Sequence, residues 1–203
     1  MTGGTPDAAA GSPAATEADR RWLRQAVELA SRCPASSTAF SVGAVVVSAA
    51  REVLGTGFSR ERDPHDHAEE VALDRAGFDS GRLQRDPEQR ARLPRAPLRC
   101  ARPEDAAPGK SASAERGRPS TAGLAGATIY SSLEPCGSRA SRPVPCAELI
   151  VAAGLCRVVI AWLEPPLLAA GGGADLLRAA GLTVIEVPEL ADAAKALNAH
   201  LLR

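Results

Sequence analysis

The 203-residue chain is predicted to fold as a three-layer α/β/α sandwich around a mixed central sheet of about five strands, and three observations predict it. Two β-rich runs, Val42 to Val47 and Glu52 to Phe58, stand either side of a short turn at Ala49, Ala50 and Arg51, which reads as an antiparallel hairpin. From Ala125 onward strands alternate with helices, and that order implies a parallel part of the sheet. Finally, Val158-Val159-Ile160-Ala161-Trp162 is a nearly continuous apolar run, as expected of a strand covered on both faces.

Taken in order, residues 1–16 are Gly, Ala, Pro, Ser and Thr with almost no large apolar side chain, so burial cannot offset the entropy of ordering them. They are expected to form a disordered tail, with a single domain over 17–203. Thr16 or Asp19 can cap a first helix on which Trp22, Leu23, Ala26, Val27, Leu29 and Ala30 recur at helical spacing, and Pro34 ends it. After the hairpin, Asp63 and Asp66 are both candidate caps for a helix that starts near His67 and stops at Gly77 or Asp79. Residues 80–124 carry ten Arg or Lys against five Asp or Glu, with six prolines, which marks a basic, poorly packing and mobile insertion. Within it, Arg82 to Arg92 can form a short helix, but its spacing demands no buried face. Ala125 to Leu133 returns to β character, Cys146 to Ala153 is helical and closed by Gly154, and Arg157 to Leu163 is the apolar strand. A helix from Ala174 to Ala180, a strand from Leu182 to Val187 and a helix from Glu189 to Leu202 complete the chain.

Composition excludes several classes. The formal charge is zero and the pI about 6.8, which does not describe a nucleic-acid binder. Aromatic residues are 3% of the chain, leaving few platforms for unpaired bases, so nucleic acid is not an expected partner. No charged-then-apolar leader opens the sequence, and no apolar run approaches the roughly 20 residues that cross a bilayer, so the cytoplasm is the expected compartment and no membrane is involved. Five cysteines, an odd number, do not suggest a disulfide framework.

Chemistry concentrates in His67-Ala68-Glu69, Pro135-Cys136 and Cys146. Zinc takes imidazole nitrogen and thiolate sulfur, and a catalytic site uses three protein ligands, which His67, Cys136 and Cys146 supply. Glu69 stands two residues after the histidine, where its carboxylate can move protons for water held at the metal. The commoner form of this signature has two residues between the cysteines; here nine, Gly137 to Pro145, intervene, so Cys136 ends a strand or loop while Cys146 opens a helix. A structural zinc knot is the alternative, and it needs a fourth ligand; His65 is the one nearby candidate and is read as solvated, while Glu70 is read as an exposed helix carboxylate. Cys33, Cys100 and Cys156 lack histidine neighbours at ligand spacing and are read as core or loop cysteines, and Trp162 as a packing residue.

In these motifs the chain resembles the cytidine-deaminase-like superfamily and, more narrowly, the deaminase half of bacterial riboflavin-biosynthesis deaminase/reductases. The likeness is carried by His67-Ala68-Glu69 with Val71-Ala72-Leu73, by Leu133-Glu134-Pro135-Cys136, by Arg142-Pro143-Val144-Pro145-Cys146-Ala147, by Glu164-Pro165-Pro166 and by Leu176 to Gly181. Departures lie at Gly137-Ser138-Arg139-Ala140-Ser141, where the family's loop is one residue shorter and carries histidines, and at Ala39-Phe40-Ser41, where it places an asparagine. The resemblance implies zinc as cofactor and hydrolytic deamination of an aminopyrimidine nucleotide, the riboflavin precursor first, with cytidine, deoxycytidylate or another nucleobase as the alternative. It also implies a homo-oligomer. The planar guanidiniums of Arg142 and Arg139 can grip a phosphate, Arg142 at the offset from Cys146 of the family's loop arginine, and Ser138 and Ser41 are further candidate substrate contacts. A reading of another class is a catalytically silent zinc-fold partner of a separate reductase.

Overall fold

The computed structural model describes residues 13–93, 124–164 and 172–202. Helix α1 (Glu17–Ala30) packs on a hairpin of β1 (Gly43–Val47) and β2 (Val53–Phe58), followed by α2 (Ala68–Arg75), α3 (Ser80–Arg85) and α4 (Pro87–Ala91). Then come β3 (Thr128–Ser131), α5 (Cys146–Ala152), β4 (Arg157–Ile160), α6 (Gly173–Ala179), β5 (Thr183–Glu186) and α7 (Ala191–Ala196). The sheet order is β2-β1-β3-β4-β5. β1 runs antiparallel to both β2 and β3, and β4 and β5 run parallel to β3. Four strands therefore end on one edge of the sheet, where α/β folds place their sites.

The alternation of side chains explains the continuous apolar runs. Ala44, Val46, Ile129, Val158, Ile160 and Val184 enter one core with residues of α2, α5 and α6. Val45, Val47, Tyr130, Val159 and Ile185 enter the other with Leu23 and Ala26 of α1 and Ala194 of α7. Both faces are covered, so no polar position is needed on these strands. Helix α2 approaches the sheet closely because β2 carries glycine: a Cβ on Gly57 would stand 2.5 Å from the Ala68 carbonyl oxygen.

Three expectations are corrected. Neither Asp63 nor Asp66 caps α2; His67 itself is the N-cap, with extended backbone, and Asp66 instead accepts from the backbone N–H groups of Arg62 and Asp63, each at 3.1 Å. The helix expected over Glu189 to Leu202 is reduced to α7 between two 3₁₀ turns, Pro188–Leu190 and Ala199–Leu201. Buried Asn198 is the reason: its amide donates to the Ala194 and Ser41 carbonyls and accepts from the Ser41 N–H at 2.7 Å, competing with the helical ladder. The start of the basic insertion is not loose: Asp86 and Pro87 break it into α3 and α4, Leu83 is buried, and Gln84 exchanges two hydrogen bonds with the backbone of Val144. Residues 94–123, where the rest of the expected mobile insertion falls, and residues 1–12 of the expected tail lie outside the described residues.

Cys33 donates to the Val42 carbonyl oxygen, and Cys100 lies outside the described residues. Among the described residues no helix is long and apolar enough to cross a membrane.

The remote end of the sheet is fastened by one buried charge. Asp19 closes a capping box with Thr16, receives two hydrogen bonds of 2.7 Å from Arg157 at the start of β4, and accepts from the Tyr130 hydroxyl at 3.0 Å. Burial opposes its ionisation, but the bonds from Arg157 and Thr16 win and hold the carboxyl well below the usual range. A depressed folded pKa stabilises above the unfolded value near 4, and that stability is lost as pH falls toward the folded value. Asp19→Asn should therefore cost about 2–4 kcal/mol at pH 7 and roughly 1 kcal/mol less at pH 3, where only the upper part of that window has been crossed, as measured by urea unfolding at both pH values.

Candidate metal centre

His67, Cys136 and Cys146 come together where α2 and α5 begin. The imidazole Nδ1 lies 3.5 Å from each sulfur, and the donor atoms all lie within 4.8 Å of one another. Each arrives by a different route: His67 is the N-cap of α2, Cys146 is the first residue of α5, and Cys136 follows β3 through Leu133, Glu134 and Pro135. The long inter-cysteine loop closes on itself, with the Cys146 N–H donating to Cys136 Sγ at 3.3 Å and the Ala147 N–H to the Cys136 carbonyl at 3.1 Å. Hydrogen bonding from Cys146, working against burial and helped by His67, pulls the Cys136 thiol well below its ordinary range, which favours the thiolate that a metal requires. One imidazole and two sulfurs at this separation are a donor set that fits zinc with three protein ligands.

A cavity of about 330 Å³ opens beside these residues, lined among others by His67, Glu69, Cys136, Phe40, Ser138, Arg139 and Glu164. Glu69 is 3% exposed and accepts from the Ser131 hydroxyl at 2.9 Å. Burial pushes its carboxyl above the ordinary range despite the opposing pull of His67 and the bond from Ser131. Glu164 is raised to about 7, by burial first and then by Cys136, Glu134 and Glu69. Glu134 fixes this corner by accepting from the backbone N–H groups of Glu164 (2.9 Å) and Ala174 (2.7 Å). Gly173 is required there, since a Cβ would overlap the Pro135 carbonyl.

The other sequence-predicted residues divide. Ser138 and Arg139 line the cavity. Arg142 is turned toward Asp66 (3.1 Å), Asp63 (3.5 Å) and Glu70 (3.5 Å). Ser41 is not in the cavity lining; its N–H bonds Asn198 and its hydroxyl accepts from Arg60 at 3.1 Å. His65 lines the rim and is exposed. Glu70 corrects the sequence reading outright: it is 1% exposed and pairs with Arg139 at 3.0 Å, because the loop between the cysteines lies over the start of α2. Arg60 was not foreseen. At φ 61° it directs its guanidinium to the carbonyls of Pro34 and Phe40, pinning the segment that carries Phe40 to the cavity wall, where that ring meets Trp162 edge-on at 5.6 Å. A turn of mixed charge gives little sign of such a contact; the left-handed backbone is the feature that exposes it.

A family profile described as the cytidine and deoxycytidylate deaminase zinc-binding region matches residues 16–162. The chain is 32% identical over 165 residues to a diaminohydroxyphosphoribosylamino-pyrimidine deaminase of Schizosaccharomyces pombe, a match covering 81% of this chain and 31% of that one. Among solved structures it resembles RibD of Acinetobacter baumannii, with a TM-score of 0.60, 30% identity, and coverage of 92% of this chain and 39% of that one. It also resembles a diaminohydroxyphosphoribosylaminopyrimidine deaminase/5-amino-6-(5-phosphoribosylamino)uracil reductase of Thermotoga maritima, with a TM-score of 0.59, 25% identity, and coverage of 89% and 39%. The chain thus spans well under half the length of each of these three relatives.

His67→Ala or Cys136→Ala should lower zinc affinity by more than about 100-fold, whereas Cys33→Ala should leave the bound metal in place. Metal content by plasma mass spectrometry after dialysis against a weak chelator is the check.

Proposed function

We propose, from the premise that the chain belongs to the family of cytidine and deoxycytidylate deaminases with a zinc-binding region, that it is a hydrolytic deaminase of an aminopyrimidine ribonucleotide, the riboflavin precursor diaminohydroxyphosphoribosylaminopyrimidine first among them. The observation that carries the reading is the buried carboxylate of Glu69 in the same cavity as His67 and Cys136, which group with Cys146 as a metal donor set. His67, Cys136 and Cys146 would hold the ion. Zinc supplies Lewis acidity that brings water near neutral pKa.

The protein's own groups do the rest. Glu69 takes a proton from the attacking water and passes it to the ring nitrogen next to the carbon under attack, then takes the second proton from the newly attached hydroxyl and delivers it to the departing amine; a C–O bond forms, the C–N bond breaks and ammonia leaves. Burial is what suits Glu69 to this: it raises the carboxyl toward the working pH, so that the group can both accept and release a proton. Ser131 keeps one oxygen of that carboxylate in place. Phe40, Val42 and Leu133 give the cavity an apolar side, and Ser138 and Arg139 a polar one.

The precursor is favoured over cytidine by the likeness to proteins named for that substrate and by the cationic Arg139 in the cavity wall, which suits a phosphorylated compound. A catalytically silent role is disfavoured because a silent protein has no use for a buried, hydrogen-bonded carboxylate at the metal site. A homo-oligomer and a separate reductase acting on the product belong to the same proposal.

Glu69→Gln should retain zinc and lower kcat by about 10²- to 10⁴-fold, followed as ammonia release from the riboflavin precursor, with cytidine and deoxycytidylate assayed in parallel. A variant that keeps near-normal turnover overturns the role of Glu69, and a wild-type protein active on cytidine alone overturns the substrate.

A further inference from the structure

One wall of the cavity has no regular secondary structure to hold it. Thr38, Ala39, Phe40 and Val42 line the space beside the metal donors, yet residues 31–42 belong to no helix or strand. From Pro34 to Ser41 the main chain makes no hydrogen bond to other main chain among the described residues. Side chains hold it instead. Within the segment, the Ser36 hydroxyl accepts from the N–H groups of Thr38 (3.2 Å) and Ala39 (3.0 Å). From outside, Asn198 bonds both main-chain groups of Ser41, and His200 Nε2 lies 2.7 Å from the Ser36 carbonyl oxygen. A segment without a backbone ladder opens locally at low cost, so the side chains that fasten it decide the shape of the site.

Arg60 makes the largest share of those bonds. Its Nε and Nη2 donate to the Pro34 carbonyl (3.1 and 2.7 Å), its Nη1 to the carbonyls of Phe40 (2.9 Å) and Ala39 (3.4 Å), and Nη2 also to the Ser41 hydroxyl (3.1 Å). Every nitrogen of the guanidinium is thus turned to one segment, and among the described residues no Asp or Glu pairs with it. A planar fork can span two carbonyls in this way, whereas a single ammonium cannot. The backbone that aims it is left-handed, at φ 61°, a conformation that glycine or asparagine adopts more readily and that costs an arginine energy.

We infer that Arg60 is a positioning residue for the substrate: by spanning the Pro34 and Phe40 carbonyls it holds the Phe40 wall at a fixed reach from His67 and Cys136, and so keeps the cavity in the shape that admits the pyrimidine ring. It acts through Phe40, whose ring is in turn met edge-on by Trp162 at 5.6 Å. The inference rests on the deaminase reading and deepens it.

Arg60→Gly removes the guanidinium and leaves a residue at ease in the left-handed turn. On whichever of the riboflavin precursor, cytidine and deoxycytidylate the wild type deaminates, zinc-loaded Arg60→Gly should raise KM by about tenfold while kcat falls less than about threefold and zinc content stays that of wild type. Amide hydrogen exchange in residues 34–42 should quicken while that of α2 is unchanged. The losses should not add: in a Phe40→Leu background, Arg60→Gly should change kcat/KM by less than about threefold. Arg60→Lys keeps the charge without the fork and should behave as the glycine variant does; it carries the test if Arg60→Gly does not fold. A lower melting temperature with KM unchanged describes a merely structural brace and overturns the inference, as do an equal loss in both backgrounds and full activity in Arg60→Lys. A wild type inactive on all three compounds overturns the deaminase reading, and the inference falls with it.

Discussion

The site depends on the burial of a polar helix start. The first six residues of α2, Ala68 to Leu73, are all buried, including Glu69 and Glu70, although a helix on the outer layer of a sandwich normally leaves such carboxylates in water. Once they are buried, each must find donors or lose its charge. Glu69 faces the cavity and Ser131, and burial pushes it toward the protonated form. Glu70, one residue on, faces two guanidiniums. Two adjacent residues of the same type are therefore given different jobs by what lies opposite them.

The loop that covers this helix is the feature that separates the chain from the short form of the zinc signature. With nine residues between Cys136 and Cys146, a single helical turn cannot present both sulfurs, and the geometry has to be enforced from outside. It is enforced by the Cys146 N–H on Cys136 Sγ, by the reciprocal bonds of Gln84 with Val144, and by the two arginines on α2 and the segment before it. A longer loop has also made room for side chains that reach the cavity, Ser138 and Arg139 among them.

The sequence exposed the features that depend on period and on residue chemistry. The two-faced strands followed from unbroken apolar runs, the hairpin from paired β segments, and the metal donors from His67, Cys136 and Cys146 lying at strand-to-helix junctions. What it did not expose depends on tertiary cover. Glu70 looks like any charged helix position until the loop is laid over it, and Leu83 and Gln84 look like solvated insertion until they meet Val144. Asn198 was hidden for a related reason: a side chain that bonds backbone carbonyls shortens a helix that propensity alone would extend. The polar misses share one feature, a partner distant in sequence: Glu70 with Arg139, Gln84 with Val144 and Asn198 with Ser41.

The two ends of the strands divide the labour between holding the fold and doing chemistry. Arg157 opens β4 at the edge away from the metal donors, and its pair with Asp19 ties α1, β3 and β4 with short bonds in which every oxygen of the carboxylate is used. At the other edge the buried pairs are longer, shared, and leave donors on Arg139 and Arg142 unsatisfied. Buried ion pairs with incomplete partners are poor sources of stability, because the desolvation of both charges is scarcely offset. Apolar side chains of similar volume at residues 70 and 139 together would serve a core better. That the cavity edge keeps charges there is understandable only if they do something other than hold the fold together, whereas at the remote edge stability alone is reason enough.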